Sequence, residues 1–136
     1  MVYYGAQYSM LPFPITIARG VPVYEQLVYS VKKAILSRQL RPGDAFPSVR
    51  QLSSELGINP NTAQKAIAAL QDEGLLKAVP GIGTVVEAPP AASRTRRQEL
   101  LGKELERLVV DAKRLAIDLA ELQQAVTQHW RRLEKP

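Results

Sequence analysis

Cysteine is absent from this sequence of 136 residues, and histidine occurs once, as His129. A chain without cysteine forms no disulfide framework and no thiolate metal site, and a lone histidine with no carboxylate or second histidine in register makes no metal site either. No apolar run approaches the ~20 residues of a membrane span, and the first residues lack the basic segment of a signal peptide. We therefore expect a cytoplasmic protein with no metal and no other cofactor.

The sequence also lacks the combinations of residues that are typical of an active site. No nucleophile is paired with a base, no phosphate-binding glycine loop is present, and no acidic cluster occurs, so we predict no catalytic residues and no enzyme. The formal net charge is +5. Residues 1–92 hold eight Lys/Arg against six Asp/Glu, and residues 93–136 hold ten against seven, so charge alone indicates nucleic acid only weakly.

Residues 42–86 carry the strongest pattern, which predicts two short helices joined by a tight turn. Ser48 is placed to cap the first helix, and Gly57 supplies the left-handed conformation that ends it. Asn59 caps a second helix with Pro60 in its first turn, and Gly74 closes that helix near residue 73. This layout is a helix-turn-helix.

Helical spacing divides the side chains of these two helices into a core face and an outer face. The apolar set is Val49, Leu52, Leu56, Ile58, Ala63, Ile67 and Leu70. The outer set is Arg50, Asn61, Thr62, Gln64, Lys65 and Ala68. Amides such as those of Asn61 and Gln64 pair with base edges, and a helix N-terminus attracts phosphate, although a solvated helix face explains these polar residues equally well.

A β-hairpin is predicted directly after the second helix. Two β-prone runs, Leu75–Val79 and Thr84–Glu87, surround the turn residues Pro80-Gly81-Ile82-Gly83. A hairpin in this place is a wing, and its glycines would allow the backbone to approach a phosphate or the minor groove closely.

In combination, the run PGDxFPSVRQLSxELGINPNTxxKAxxxLxxEGLLxxxxGxGTVV, within residues 22–87, resembles the DNA-binding domain of the GntR family of bacterial transcription regulators. The PSVR and NPNT elements and the short C-terminal region resemble its YtrA-type branch. The resemblance implies a mainly α fold with a small β-hairpin: a winged helix-turn-helix domain followed by a C-terminal two-helix dimerisation tail. It also implies DNA contacts from Ser48, Arg50, Asn61, Thr62, Gln64, Lys65 and Gly81, with Asn61, Gln64 and Lys65 providing sequence choice.

Three positions depart from the family pattern. Gln39 stands where a glycine often follows the first helix, and Ile67 replaces a frequent tyrosine; both are interpreted as capping or packing variants. Pro80 stands where a basic residue often precedes the wing glycine. It removes a cation and an amide donor, so we expect weaker wing contacts than is typical.

The flanking regions complete a division into an arm (1–20), the winged domain (21–87), a linker (88–92) and a tail (93–136). Aromatic residues of the arm, among them Tyr3, Tyr4, Tyr8 and Phe13, are expected to pack on the domain or a partner chain rather than in a DNA groove. A first helix over Pro22–Ser37 is predicted to turn Lys32, Lys33 and Arg38 to solvent. Its apolar stripe is Tyr24, Leu27, Val28, Val31, Ile35 and Leu36.

The tail shows the a/d spacing of a helix-helix interface. The repeating positions are Leu101, Leu105, Leu108, Ala112, Leu115, Leu119, Leu122, Val126, Trp130 and Leu133. One long helix or a hairpin broken near Ala116-Ile117 satisfies this pattern; Asp118 and Glu121 form a capping-box signal that favours the hairpin. Leaving these side chains wet would cost roughly 1.5 to 3 kcal/mol each, so we predict that they form a dimer interface, with Trp130 as an anchor.

These observations predict a homodimeric, sequence-specific transcriptional regulator of double-stranded DNA, acting as a repressor on a pseudo-palindromic operator. A small-molecule effector of unknown identity is compatible with the tail, and no membrane partner is expected. Two alternatives stay open: a non-specific DNA-architectural protein, and a protein-interaction module that reads no DNA.

Overall fold

A computed structural model describes residues 11–87 and 94–134. The chain divides into two compact units, residues 1–90 and residues 91–135, which we call the N-terminal unit and the tail. Tyr3, Tyr4 and Tyr8 and the whole predicted linker, residues 88–92, lie outside the described residues.

The N-terminal unit contains three helices followed by a two-stranded antiparallel hairpin. The helices are α1 (Val23–Leu36), α2 (Val49–Leu56) and α3 (Pro60–Asp72), and the strands are β1 (Leu76–Val79) and β2 (Gly83–Val86). Leu76 lies opposite Val86, and Val79 lies opposite Gly83. α3 packs against both α1 and α2, so it is held along its inner face by the two helices that precede it.

The helix boundaries follow from the capping residues that the sequence supplies. The Ser48 hydroxyl accepts a hydrogen bond from the Gln51 amide at 3.1 Å, and the Asn59 side chain accepts one from the Asn61 amide at 2.8 Å. Gly57 ends α2 in the left-handed conformation, with φ of 63°. These caps satisfy amides and carbonyls that have no partner within the helix, and they confirm the predicted helix-turn-helix.

One apolar core fills the space between these elements. The segment before α1 belongs to it: Leu11, Phe13 and Ile15 are buried while Pro12 and Pro14 are exposed. The Phe13 ring stacks on Phe46 with centroids 5.8 Å apart. The other buried members are Leu27, Val31, Ala34, Leu40, Leu52, Leu56, Ala63, Ala66, Ile67, Leu70, Leu76 and Val86.

The structure corrects two predictions about α1. Leu36 was expected in the apolar stripe, but its side chain is 66% exposed, because the core ends at Ala34 and Ile35 on that turn. Lys32 does not simply face solvent, since its Nζ lies 2.8 Å from a carboxylate oxygen of Glu73. The left-handed residue that ends α1 is Arg38, with φ of 63°, and Gln39 follows it.

The tail consists of helical segments interrupted by a turn. They are α4 (Arg94–Glu99), a π-helical segment (Leu100–Glu104), α5 (Leu105–Arg114) and α6 (Leu119–Glu134). The chain leaves α5 through Ala116, whose φ is 58°, while the Ile117 amide bonds to the Ala112 carbonyl at 2.9 Å. This is a Schellman ending without its usual glycine. The Asp118 side chain then caps α6 by accepting from the Glu121 amide at 2.8 Å, so one continuous helix is ruled out.

Within residues 11–87 and 94–134, no helix combines the length and the apolar character needed to cross a membrane. The same described ranges contain no group of three or more His, Cys, Asp or Glu side chains arranged to hold a metal ion.

Candidate nucleic-acid interface

The exposed front of α3 is a polar surface on a helix whose inner side is buried. Ala63, Ala66, Ile67 and Leu70 are buried on its inner side, which fixes the rotation of the helix. Asn61, Gln64 and Lys65 are consequently exposed, and Thr62 and Ala68 are half-buried. The structure thus groups the predicted residues of α3 at the N-terminal end of one helix.

Two further predicted residues lie at the beginning of α2. Arg50 is the second residue of this helix and is exposed. Ser48 is also exposed, but its hydroxyl oxygen already accepts the Gln51 amide. A hydroxyl that accepts one hydrogen bond keeps its own O–H to donate, so Ser48 can cap the helix and bind an oxyanion at the same time.

The Lys65 side chain extends toward α1. Its Nζ lies 3.9 Å from the centroid of the Tyr24 ring, a distance at which an ammonium is attracted by the negative face of the ring. The sequence indicated neither this pair nor the pair between Lys32 and Glu73, because both partners in each pair are far apart in sequence. No local signal predicts which side chains of packed helices meet.

The turn of the hairpin is a type II turn. Pro80 occupies its first central position, Gly81 follows with φ of 80°, and the Ile82 amide bonds to the Val79 carbonyl at 3.0 Å. The restricted φ of proline suits the first position, and glycine suits the positive φ of the second. This gives Pro80 a structural role, and it leaves Ile82 at the tip, 76% exposed.

A third extended segment supports the hairpin from the side. The Gly43 amide bonds to the Val86 carbonyl at 2.8 Å, the Val86 amide to the Asp44 carbonyl at 2.9 Å, and the Phe46 amide to the Thr84 carbonyl at 2.8 Å. Because Phe46 precedes α2, these bonds join the hairpin to the entry of the helix-turn-helix. The sequence pattern missed this pairing.

In the tail, the predicted interface residues are largely exposed. Ala112 is buried, and the half-buried repeat positions are Leu122 and Leu133. The exposed ones include Leu101 (66%), Leu105 (41%), Leu108 (46%), Leu115 (72%), Leu119 (70%), Val126 (49%) and Trp130 (68%).

The π-helical segment was not predicted, and it changes the start of this repeat. An extra residue in the turn rotates Leu101 away from the face of Leu105 and Leu108 and brings Leu100 toward it. Arg96 spans the segment, with Nη1 2.9 Å from a Glu104 carboxylate oxygen. The hydrogen bond and charge of Glu104, assisted by Glu99, raise the pKa of the Arg96 guanidinium.

The N-terminal unit is a winged helix-turn-helix: α2 and α3 form the helix-turn-helix, α1 packs against α3, and the hairpin with Gly81 in its turn is the wing. This is a fold of DNA-binding transcriptional regulators. Residues 23–86 match the sequence pattern of the bacterial regulatory proteins of the gntR family. The HTH-type transcriptional repressor YtrA of Bacillus subtilis strain 168 is 30% identical over 110 residues, which are 80% of this chain and 85% of that protein. The chain belongs to the GntR family of DNA-binding transcriptional regulators, and within it to the YtrA-type branch.

Solved structures agree with this assignment. A transcriptional antiterminator from Listeria monocytogenes EGD-e superposes with a TM-score of 0.82 at 25% identity, and the match covers 91% of this chain and 93% of that chain. YtrA from Sulfolobus acidocaldarius, a GntR-family transcription factor, matches with a TM-score of 0.50 at 25% identity over 87% of this chain and 96% of that one. The predicted fold class is confirmed.

Proposed function

We propose that the chain is a sequence-specific repressor that binds a pseudo-palindromic operator as a homodimer, with the N-terminal end of α3 from each subunit in the major groove. The observation that carries this proposal is the free polar front of α3, presented by a helix whose opposite side is buried against α1 and α2. A helix held in this way fits the major groove, and its leading residues meet the base edges.

Each polar side chain of this surface has a role in the proposal. Asn61 and Gln64 carry amides that pair bidentately with a base edge, adenine being the usual partner. Arg50 supplies a planar cation suited to phosphate. Lys65 adds a third donor for sequence choice, and other backbone contacts come from Ser48, Thr62 and the wing at Gly81.

The wing contributes to DNA binding through its backbone shape more than through its charge. From Val79 to Val86 it carries no cation, and its type II turn presents Gly81 and the apolar Ile82. Main-chain approach at Gly81 therefore replaces the usual basic contact, and most of the salt dependence of binding comes from the helix-turn-helix.

The homodimer rests on the exposed apolar residues of the tail. Several large apolar side chains at a/d spacing are exposed to solvent in a single copy. In a two-fold dimer the same surface of a second copy can cover them. Two reading helices related by such an axis require two inverted half-sites. The repressor role is proposed by analogy with YtrA of Bacillus subtilis, and we place any small-molecule effector between the two subunits.

Selection of duplexes from a random pool, followed by affinity measurements on the selected sequence, tests this proposal. We expect an inverted repeat to emerge. Arg50→Ala should weaken binding at least ten-fold, while Arg114→Ala, which removes the same charge from the tail, should leave the affinity within about two-fold. Gln64→Ala should relax the sequence preference at one position of each half-site.

Two results would favour the competing functions. Binding of all duplexes with equal affinity would identify an architectural DNA-binding protein. Failure to retain any duplex, in a chain that is folded and dimeric, would favour a protein-interaction module.

A further inference from the structure

The pair formed by Lys65 and Tyr24 assigns a role to a residue of α1. Tyr24 lies in the first turn of α1 and is half-buried, so its ring is fixed by the core on one side. The Lys65 ammonium sits 3.9 Å from the centre of that ring. A lysine on a fixed aromatic surface has lost much of its freedom before any ligand arrives, so it gives up less side-chain entropy on binding.

A second pair shows how α1 and α3 are aligned. Lys32 and Glu73 are separated by 41 residues in sequence, and Tyr24 and Lys65 have the same separation. Two contacts at a constant offset mean that the helices run side by side in the same direction. The first turn of α1 consequently lies beside the second turn of α3, at the end that faces DNA in the proposed function.

Helix dimensions then decide what Lys65 meets. An α-helix with its side chains is about 10–12 Å across and fills a major groove about 12 Å wide. A neighbouring helix packed 8–10 Å away therefore lies outside the groove, beside the sugar-phosphate backbone. A side chain that leaves α3 toward α1 ends at the wall of the groove, where phosphates are and base edges are not.

We propose that Tyr24 is a positioning residue that holds Lys65 at the α1 side of α3, where the ammonium neutralises a backbone phosphate instead of reading a base. The inference rests on the proposed binding of duplex DNA, and it revises the expectation that Lys65 contributes sequence choice. The ring occupies one side of the ammonium and leaves N–H groups on the other side to donate to an anionic oxygen. Sequence choice then comes from Asn61 and Gln64.

The test compares a duplex selected by the full-length protein with a scrambled duplex of equal length and composition, over a range of KCl concentrations. Lys65→Met should weaken both complexes by the same factor, roughly five-fold at ~150 mM salt, and should lower the slope of log K against log salt by about 0.9. Lys33→Met, a control that removes an exposed charge from α1, should change either affinity less than two-fold.

Variants of Tyr24 separate positioning from packing. Tyr24→Phe keeps the ring face and should behave as the wild type. Tyr24→Leu keeps an apolar side chain but removes the ring, and it should weaken both complexes about two-fold, the order expected for an exposed cation–π pair. Combined with Lys65→Met, it should add nothing, because the ring acts only through the lysine. Thermal unfolding of every variant verifies that the fold is kept.

Two outcomes would overturn the proposal. A lower ratio of selected to scrambled affinity in Lys65→Met, at an unchanged salt slope, would make Lys65 a base-reading residue. Full additivity of Tyr24→Leu and Lys65→Met would show that Tyr24 acts independently of the lysine. Absence of binding by the wild type to any duplex would instead overturn the proposed function itself, before the variants are compared.

Discussion

Both units of the chain are rich in apolar side chains, but the N-terminal unit buries most of them and the tail leaves most of them exposed. The N-terminal unit buries most of its large aliphatic residues: Leu27, Leu40, Leu52 and Leu70 are 1% exposed or less. Among the described residues of the tail, Ala112 is the buried one, whereas Leu115 is 72% and Leu119 70% exposed. We therefore expect the N-terminal unit to be stabilised by its own contacts and the tail to require a second surface that covers these leucines.

The largest effect should come from placing charge on the uncovered tail surface. In the double variant Leu108→Glu/Leu119→Glu, a dimer would lose four buried leucines at about 1.5 kcal/mol or more each, roughly 6 kcal/mol in total, before any penalty for burying carboxylates. We expect a monomer in sedimentation velocity with an intact N-terminal unit. Val110→Glu, on the opposite face of α5, is the matched control and should stay dimeric. A dimer that survives the double change would refute this assignment of the interface.

A core substitution in the N-terminal unit should behave in the opposite way. Leu70→Ala removes a fully buried side chain from α3 and should reduce the free energy of unfolding by about 3 kcal/mol, measured by urea denaturation of the full chain. Leu36→Ala, which removes an exposed leucine from α1, should cost less than ~0.5 kcal/mol. Equal costs for the two changes would contradict the description of the core.

A smaller effect of the opposite sign is expected at the turn of the tail. Ala116 adopts φ of 58°, which a residue with a Cβ adopts at a cost that glycine avoids. Ala116→Gly should therefore stabilise the chain by about 0.5 to 1 kcal/mol, observed as a higher Tm. Ala125→Gly, in the interior of α6, should destabilise it by about the same amount. A drop in Tm for both variants would mean that the turn is not held in this conformation.

The smallest effect concerns the ion pair between α1 and α3. Its side chains are 37% and 40% exposed, so solvent screens the attraction, and Lys32→Met should cost no more than ~0.5 kcal/mol. A double-mutant cycle with Glu73→Gln at low and high salt measures the pair directly. A coupling energy well above 1 kcal/mol that is insensitive to salt would show that the pair fixes the packing of α3.

The sequence predicted most of the features that depend on neighbouring residues. The caps at Ser48, Gly57 and Asn59 were predictable because a cap depends on the few residues around it. The buried and exposed faces of α2 and α3 follow from helical periodicity. The capping signal at Asp118 correctly placed the start of α6. The sequence did not indicate that Arg38 adopts the left-handed conformation after α1, because that position is set by where the core stops and Leu40 turns inward.

What the sequence missed depends on contacts between distant residues. Lys65 meets Tyr24 only because α1 and α3 are packed in parallel, and the segment before α2 pairs with β2 only after the hairpin has formed. Neither leaves a periodic trace in the sequence. The π-helical segment is a local feature, but the sequence does not reveal it. Leu100 and Leu101 are adjacent, so the leucine repeat continues on the shared face whether or not the turn contains an extra residue.

In the proposed function, the front of α3, carried in two copies by the tail, selects a DNA sequence. The most direct measurement is the affinity of the full-length protein for a duplex selected from a random pool, relative to a scrambled duplex, at ~150 mM salt. We expect a ratio of at least about 10³, with one dimer per duplex. A ratio near one, or binding of the selected duplex by a monomer, would contradict it.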